Sequence, residues 1–188
     1  MKINERLISI DGLSGVGVST QIRLLRLELQ KSGYKVMVFG HGEINESIQD
    51  YILIRDLLSI HPDLIVLWDK TFIKSMIYDL TQGSTDQMVL EKYKDCLYRY
   101  RVLLHEFQSL HLVLLPNNLK TCRVNLLGRH SIIPNILFWD FQEQKTIMDM
   151  YKIVNSHILS SGINIEHMEV FCEEKALDVH SKILKLLK

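Results

Sequence analysis

The sequence predicts an α/β protein in which a parallel sheet carries helices on both faces. Short apolar runs typical of buried strands alternate with longer stretches of helical periodicity along the 188 residues. A glycine-rich stretch, residues 12–20, stands directly between the first apolar run and the first helical stretch. In a strand, loop, helix unit this is the position at which backbone amides can bind an anion.

The predicted elements follow one another with short breaks. The apolar runs predict five strands, at Leu7–Ile10, Tyr34–Phe39, Leu64–Trp68, Leu110–Leu115 and Ile165–Phe171. Apolar periodicity, glycine and proline place the helices, at Ser19–Ser32, Glu43–Ser59, Thr71–Thr81, Asp86–Gln108, Pro116–Leu127, Phe138–Leu159 and Glu173–Leu187. This order predicts a single domain over 1–188 with a short lid at about 128–137.

Composition and charge exclude several classes of protein. Apolar residues make up 47% of the chain, which is enough to bury a sizeable core. Basic and acidic residues number 22 each, so no net charge attracts nucleic acid or an anionic membrane. The three cysteines form no CxxC pair and fit buried, reduced thiols. With no signal peptide or membrane span in the sequence, we expect a cytoplasmic protein.

The strongest motif is the glycine-rich loop, which matches the P-loop pattern GxxxxGK[ST] except at the lysine. Its glycines let backbone amides face an anion, and the start of the following helix adds partial positive charge. Ser19 is the expected magnesium ligand, whereas Val18 replaces the lysine. The predicted nucleotide-binding residues are Gly12, Ser14, Gly15, Val16, Gly17, Val18, Ser19 and Thr20. An ordinary glycine-rich turn is the alternative.

The chain resembles the thymidylate kinase (dTMP kinase) family. The matching residues are Asp11-Gly12, Ser19-Thr20-Gln21 and Leu24-Leu25 in the opening unit, and Asp63–Lys70, Ser75 and Tyr78 around the third strand. The resemblance extends weakly over nearly the whole chain. It implies the three-layer fold of P-loop NTPases with a five-stranded parallel sheet and a short lid, ATP and Mg²⁺ as ligands, and often a homodimer.

Four functional positions of that family are altered here. The family's P-loop acid falls on Ser14, its lysine on Val18, its Arg-Glu-Pro loop on Gly40–Gly42, and the arginine of its Asp-Arg-Tyr motif on Lys70. Asp69 is retained and is predicted to organise magnesium together with Ser19. Phosphate charge would be neutralised by Lys70 and Arg129, so the predicted catalytic group is Asp69, Lys70 and Arg129.

These departures leave three functions open. The first is a divergent dTMP kinase-like phosphotransferase that uses ATP on a nucleotide, nucleoside or similar small acceptor. The second is a catalytically inactive relative that binds a nucleotide or a partner protein, and the third is a structural module with an empty cleft. Standard dTMP kinase activity is not expected, because losing one preorganised contact to a transition state costs about 3 to 4 kcal/mol.

Overall fold

The computed structural model describes residues 3–13, 15–40, 44–69, 71–83, 87–119, 141–159, 164–171 and 174–187. Within these ranges the strands are β1 (Leu7–Gly12), β2 (Lys35–Gly40), β3 (Leu64–Asp69), β4 (Ser109–Pro116) and β5 (Ile165–Val170). The helices are α1 (Val18–Lys31), α2 (Ile44–Ile60), α3 (Phe72–Thr81), α4 (Gln87–Glu106), α5 (Phe141–Leu159) and α6 (Ala176–Leu186).

The strands form one parallel sheet in the order β2-β3-β1-β4-β5. The register places Ser9 of β1 opposite Trp68 of β3 on one side and His111 of β4 on the other. The five-stranded parallel sheet is therefore as predicted, and its first strand lies at the centre.

The direction of each crossover assigns the helices to two faces of the sheet. The connection from β1 to β2 runs across the sheet in one direction, and the later connections run in the other. Because parallel crossovers are right-handed, α1 lies on one face and the helices of the later crossovers lie on the opposite face. Accordingly α1 packs against α6, whereas α2, α3 and α4 contact one another and α5 packs against α3. The three-layer α/β prediction is confirmed.

The core is centred on β1, β3 and β4, which are buried along nearly their whole length. Trp68 is 1% exposed and meets the ring of Tyr100 edge to face, with centroids 5.5 Å apart. Tyr100 also joins Ser9 in a buried hydrogen-bonded group with Nδ1 of His111, at 2.8 Å from each hydroxyl. These polar atoms of the core thus have partners of matching chemistry.

Two predicted boundaries at the start of the chain were wrong by one or two residues. The first strand does not stop at Ile10, because Asp11 is buried within it and the strand continues to Gly12. The first helix begins at Val18 instead of Ser19, directly after Gly17. Both differences lengthen the regular structure on either side of the loop, so the loop itself is shorter than the motif suggests.

One of the three cysteines lies within the described residues, and its side chain is buried. Burial raises the pKa of the Cys96 thiol to about 11, in agreement with a buried, unreactive cysteine. Cys122 and Cys172 lie outside the described residues.

The predicted lid at about 128–137 and most of the helix predicted before it also lie outside the described residues. Among the helices the structure describes, none has the length and apolarity needed to cross a membrane.

Candidate functional site

The glycine-rich loop leaves the sheet at the carboxyl end of β1, the central strand, where parallel α/β sheets usually bind ligands. Gly12 lies so close to β4 that a Cβ atom there would stand 2.4 Å from the carbonyl oxygen of Leu114 and 2.9 Å from Cγ1 of Val16. No larger residue fits without moving the backbone. The start of the loop is therefore fixed by packing against the neighbouring strand.

The first turn of α1 begins at the loop, and its N-cap residue has no side chain to accept from the backbone amides there. This residue, Gly17, has φ 102° and ψ 15°, and among the described residues no side-chain capping hydrogen bond is formed at this end of the helix. Uncapped amides at a helix start, with the partial positive charge of the helix dipole, favour an anion. The Val16 amide is used inside the loop, where it donates to the carbonyl of Leu13 at 3.1 Å.

The position of the missing lysine is occupied by a core side chain. Val18 is 6% exposed and belongs to the same apolar cluster as Val16 and Ile22. A valine packed in this way stabilises the first turn of α1 by burial and contributes no charge to the loop. Any cation that approaches a bound phosphate must come from another element.

Ser19 and Asp69 bring two oxygen atoms together beside the loop. Ser19, in the first turn of α1, places Oγ 3.5 Å from Oδ1 of Asp69 at the end of β3. A hydroxyl and a carboxylate are the oxygen donors that Mg²⁺ accepts in phosphate sites, where it keeps several waters. The pair therefore fits a magnesium ion. Among the described residues no cluster of three or more His, Cys, Asp or Glu side chains provides another metal site.

Asp11 links the central strand to the start of α3. Its Oδ1 accepts a hydrogen bond from the Thr71 amide at 3.0 Å, and its Oδ2 accepts one from the Thr71 hydroxyl at 2.5 Å. Thr71 is in turn the N-cap of α3 and accepts from the Ile73 amide at 3.3 Å. The carboxyl end of β1 and the chain just after Asp69 are thereby held together.

The burial of Asp11 has an electrostatic cost. Complete burial raises the pKa of Asp11 from 3.8 to about 7, although the hydrogen bonds from Thr71 and the positive charge of Lys74 act in the opposite direction. The negative charge of Asp69 adds to the increase. Since both carboxyl oxygens are occupied by Thr71, the group serves in this arrangement to position the loop and α3.

A cavity of about 150 Å³ opens between the loop, α1 and the start of α6. Gln21 is 2% exposed at its wall and donates from Nε2 to the carbonyl of Ala176 at 2.9 Å. This bond fixes the orientation of the amide, whose Oε1 has no hydrogen-bond partner among the described atoms. The cavity is lined by Gly15, Val16, Gly17, Thr20, Gln21, Val170, Phe171, Glu174, Ala176 and Val179.

A larger groove of about 480 Å³ lies on α4 beside Arg55 of α2. Arg55 forms a bidentate ion pair with Glu106, at 2.9 and 3.2 Å, which also lines this groove. None of the residues around the glycine-rich loop contributes to it. We therefore place the candidate site at the smaller cavity and the loop.

The structure describes most, but not all, of the residues that the sequence selected. Gly12, Gly15, Gly17, Ser19 and Thr20 lie along one continuous path from β1 into α1, with Asp69 beside it. Ser14, Lys70 and Arg129 lie outside the described residues, and so do His41 and Gly42 of the loop after β2.

Three residues of the site were not selected from the sequence. Asp11 can be recognised in the sequence as a charged residue next to an apolar run, but its hydrogen-bond partner Thr71 is 60 residues away. Tyr151 of α5 donates to the carbonyl of Gly12 at 3.3 Å and had no local signal. Gln21 entered only as part of the resemblance.

The sheet order, the loop after the central strand and the uncapped α1 are features of the P-loop kinase fold, and the comparisons support this class. At 18% identity the chain matches a deoxyadenosine kinase from M. mycoides with bound dATP, with a TM-score of 0.55 over 97% of this chain and 98% of the other. The dCTP-bound structure of the M. mycoides enzyme gives 17% identity and a TM-score of 0.54 over 96% and 98%. No protein-family model and no curated protein matches the chain.

Proposed function

We propose that this chain is a divergent phosphotransferase that moves the terminal phosphoryl group of ATP to a nucleotide, a nucleoside or a similar small acceptor. ADP and, for a hydroxyl acceptor, a proton would be released. The observation that carries the proposal is the position of Ser19 and Asp69, 3.5 Å apart, beside an uncapped helix start and a glycine-rich loop. This arrangement supplies oxygen ligands for a cation and amides for phosphate at one edge of the sheet.

Each group in the site would have a distinct part in binding and transfer. Ser19 and Asp69 would hold Mg²⁺, which when bound neutralises phosphate charge and orients the phosphate chain. The loop amides would bind phosphate oxygens, and the cavity beside Gln21 would receive another part of the donor nucleotide. Lys70 and Arg129 are proposed to neutralise charge on the transferring group, as the resemblance to dTMP kinases implies.

The acceptor is the least defined part of the proposal. The two matching structures are deoxyadenosine kinases, which supports deoxynucleosides as the first acceptors to examine. The dTMP kinase-like motifs support nucleoside monophosphates as the second group. We further propose that 1–188 act as one domain whose segment at about 128–137 covers the phosphates, and that the protein works in the cytoplasm as a homodimer.

The alternative is a catalytically inactive protein that binds a nucleotide or a partner protein at the same cleft. The burial of Val18 at the lysine position favours this alternative, since the loop itself carries no cation.

Nucleotide binding and catalysis can be separated by two measurements. Stabilisation of the purified protein by ATP with Mg²⁺ against heat tests nucleotide binding. Mass spectrometry of a panel of nucleosides and nucleotides incubated with ATP tests transfer without assuming the acceptor.

The two measurements give distinct results for each function. A phosphorylated product together with thermal stabilisation supports the phosphotransferase. Stabilisation without any product supports the inactive nucleotide-binding protein. If ATP with Mg²⁺ gives no stabilisation and no product forms, the proposed nucleotide site is wrong.

Gly40→Ala is expected to weaken magnesium-dependent ATP binding about tenfold. Gly40, opposite Asp69 in the β2–β3 ladder, leaves no room for a side chain, since a Cβ atom would stand 2.8 Å from the Asp69 carbonyl oxygen and 3.1 Å from its Cβ. The substitution should displace Asp69 from Ser19, at an overpacking cost of about 1 to 3 kcal/mol. Titration calorimetry with and without Mg²⁺ measures the effect on binding.

Gly83→Ala is the matched control for this substitution. Gly83 follows α3, and an added Cβ there meets no atom within 4 Å. This variant should therefore keep the magnesium dependence of the parent. Equal ATP affinities for the Gly40 variant and the parent would show that Asp69 does not need its observed position.

A further inference from the structure

A triphosphate bound at the loop brings several negative charges to a protein whose net charge is zero. A Mg²⁺ ion held by Ser19 and Asp69 would neutralise part of that charge. In kinases with a complete P-loop, lysine at the position of Val18 provides a further cation. Here the Val18 side chain is 6% exposed in the core, so the loop does not supply one. A cation from a neighbouring element is needed for tight phosphate binding.

Lys74 is a described lysine whose position meets this need. It is the third residue of α3, whose N-cap Thr71 is hydrogen-bonded to Asp11 immediately before the loop. Side chains in a helix lean toward its N-terminus, so the first turn of α3 directs Lys74 toward the carboxyl edge of the sheet. The positive charge of Lys74 opposes the increase that burial causes in the pKa of Asp11, which agrees with this direction.

The ammonium group of Lys74 lies close to an aromatic ring of its own helix. Lys74 is half-buried, and its Nζ lies 5.6 Å from the centre of the Tyr78 ring, one helical turn further along α3. An aromatic face attracts a cation without removing its charge. Tyr151 donates to the Gly12 carbonyl oxygen at 3.3 Å. Lys74 stands in the first turn of a helix whose N-cap is hydrogen-bonded to Asp11, the residue directly before the loop.

We propose that Lys74 binds a phosphate group of the nucleotide and so takes the part of the lysine that the loop lacks. The inference rests on the proposed function, because it requires a phosphate at the loop. It gives to Lys74, in the first turn of α3 and 5.6 Å from the Tyr78 ring, a role that the sequence analysis expected of Lys70. A lysine ammonium suits this role as a point charge that can reach a phosphate oxygen.

The test compares Lys74→Gln, Lys74→Arg and Lys92→Gln with the parent. Lys92 is an exposed residue of α4 and serves as a matched control for loss of one lysine charge. Titration calorimetry with Mg²⁺ and either ATP or inorganic tripolyphosphate measures phosphate binding, and the melting temperature without ligand measures folding. Tripolyphosphate is included because it has no base or sugar, so it reports the phosphate contact alone.

We expect Lys74→Gln to weaken binding of both ligands about 10- to 100-fold, since contacts between charged groups are the strong ones. Its affinity should also depend less steeply on salt than that of the parent. Lys74→Arg should retain affinity within about threefold, because charge and reach are similar. Lys92→Gln should bind as the parent does, and all four proteins should melt within about 2 °C of one another without ligand.

Several outcomes would contradict the assignment. If the parent binds ATP and tripolyphosphate while Lys74→Gln binds them equally well, the proposed function stands and the role of Lys74 is wrong. The same holds if Lys74→Gln and Lys92→Gln lose affinity equally, or if Lys74→Gln loses affinity only through a large drop in its unliganded melting temperature. If the parent itself binds neither ligand, the proposed function fails and the role of Lys74 with it.

Discussion

Gly12→Ala is expected to lower the free energy of unfolding by about 3 to 5 kcal/mol, a severe loss for one added methyl group. An added Cβ would stand 2.4 Å from the Leu114 carbonyl oxygen, which is fixed in β4. Neither backbone can move without breaking the β1–β4 ladder, so the cost cannot be relieved by a rotamer change. In a chain of this size the melting temperature should fall by about 10 °C.

Urea unfolding followed by circular dichroism measures this loss, and Gly33→Ala is the control. Gly33 follows α1 with φ 87°, and an added Cβ there meets no atom within 4 Å. Its cost should be limited to the backbone strain of a non-glycine residue, about 1 to 2 kcal/mol. Equal losses for the two variants would mean that the close approach of the loop to β4 is not present in solution.

Asp11→Asn is expected to remove a strong pH dependence of stability. The unfolded chain releases the Asp11 proton near pH 3.8, whereas burial delays its release in the folded protein to about pH 7. Between these values the folded state binds more protons, so the stability of the parent falls as the pH rises and levels off above about pH 7. At about 1.4 kcal/mol per pH unit, the difference corresponds to about 4 kcal/mol.

An asparagine keeps both contacts of Asp11 while it removes the titration. Its amide oxygen can accept from the Thr71 amide, and its NH₂ group can donate to the Thr71 hydroxyl oxygen. The variant should therefore be more stable than the parent at pH 8 and similar to it at pH 4, as measured by urea unfolding at both values. Its magnesium-dependent ATP binding should persist, because the clamp to α3 remains.

Asp63→Asn provides the contrasting control. Asp63 is exposed, and its hydrogen bond with Lys35, 2.7 Å away, lowers the pKa of that carboxyl. Removal of this charge should therefore not stabilise the protein at high pH. A parent whose stability is constant from pH 4 to pH 8 would show that Asp11 is not buried as an ionisable group.

The fold was predictable from local pattern. Apolar runs bounded by glycine and proline, such as Leu64–Trp68 after Pro62, mark buried strands because each must bury both faces in a parallel sheet. The loop was predictable for the same reason, since glycines between a strand and a helix are a local feature. Its pairing with Asp69 was implied by the resemblance to dTMP kinases, and the structure places Oγ of Ser19 3.5 Å from Oδ1 of Asp69.

The remainder of the site depends on contacts between distant residues. Asp11 was expected to end the first strand, because a charge is normally costly inside a sheet. The hydrogen bonds from Thr71 offset part of the cost of burying Asp11, and the sequence near Asp11 does not predict them. The sequence around Lys74 indicates only an ordinary helical lysine. Its electrostatic effect on Asp11 becomes visible only when the start of α3 is placed against β1.

The central position of β1 also constrains the order in which the protein can fold. The strand that carries the loop comes first in the chain, yet its partners arrive much later, with Ser9 and His111 102 residues apart. Such long separations in sequence slow folding, because a long chain segment must close, at a cost in entropy, before the stabilising contact can form. On the ribosome the glycine-rich loop is therefore made before β4 and gains its full support only once β4 has emerged, so the candidate site cannot form before that strand is available.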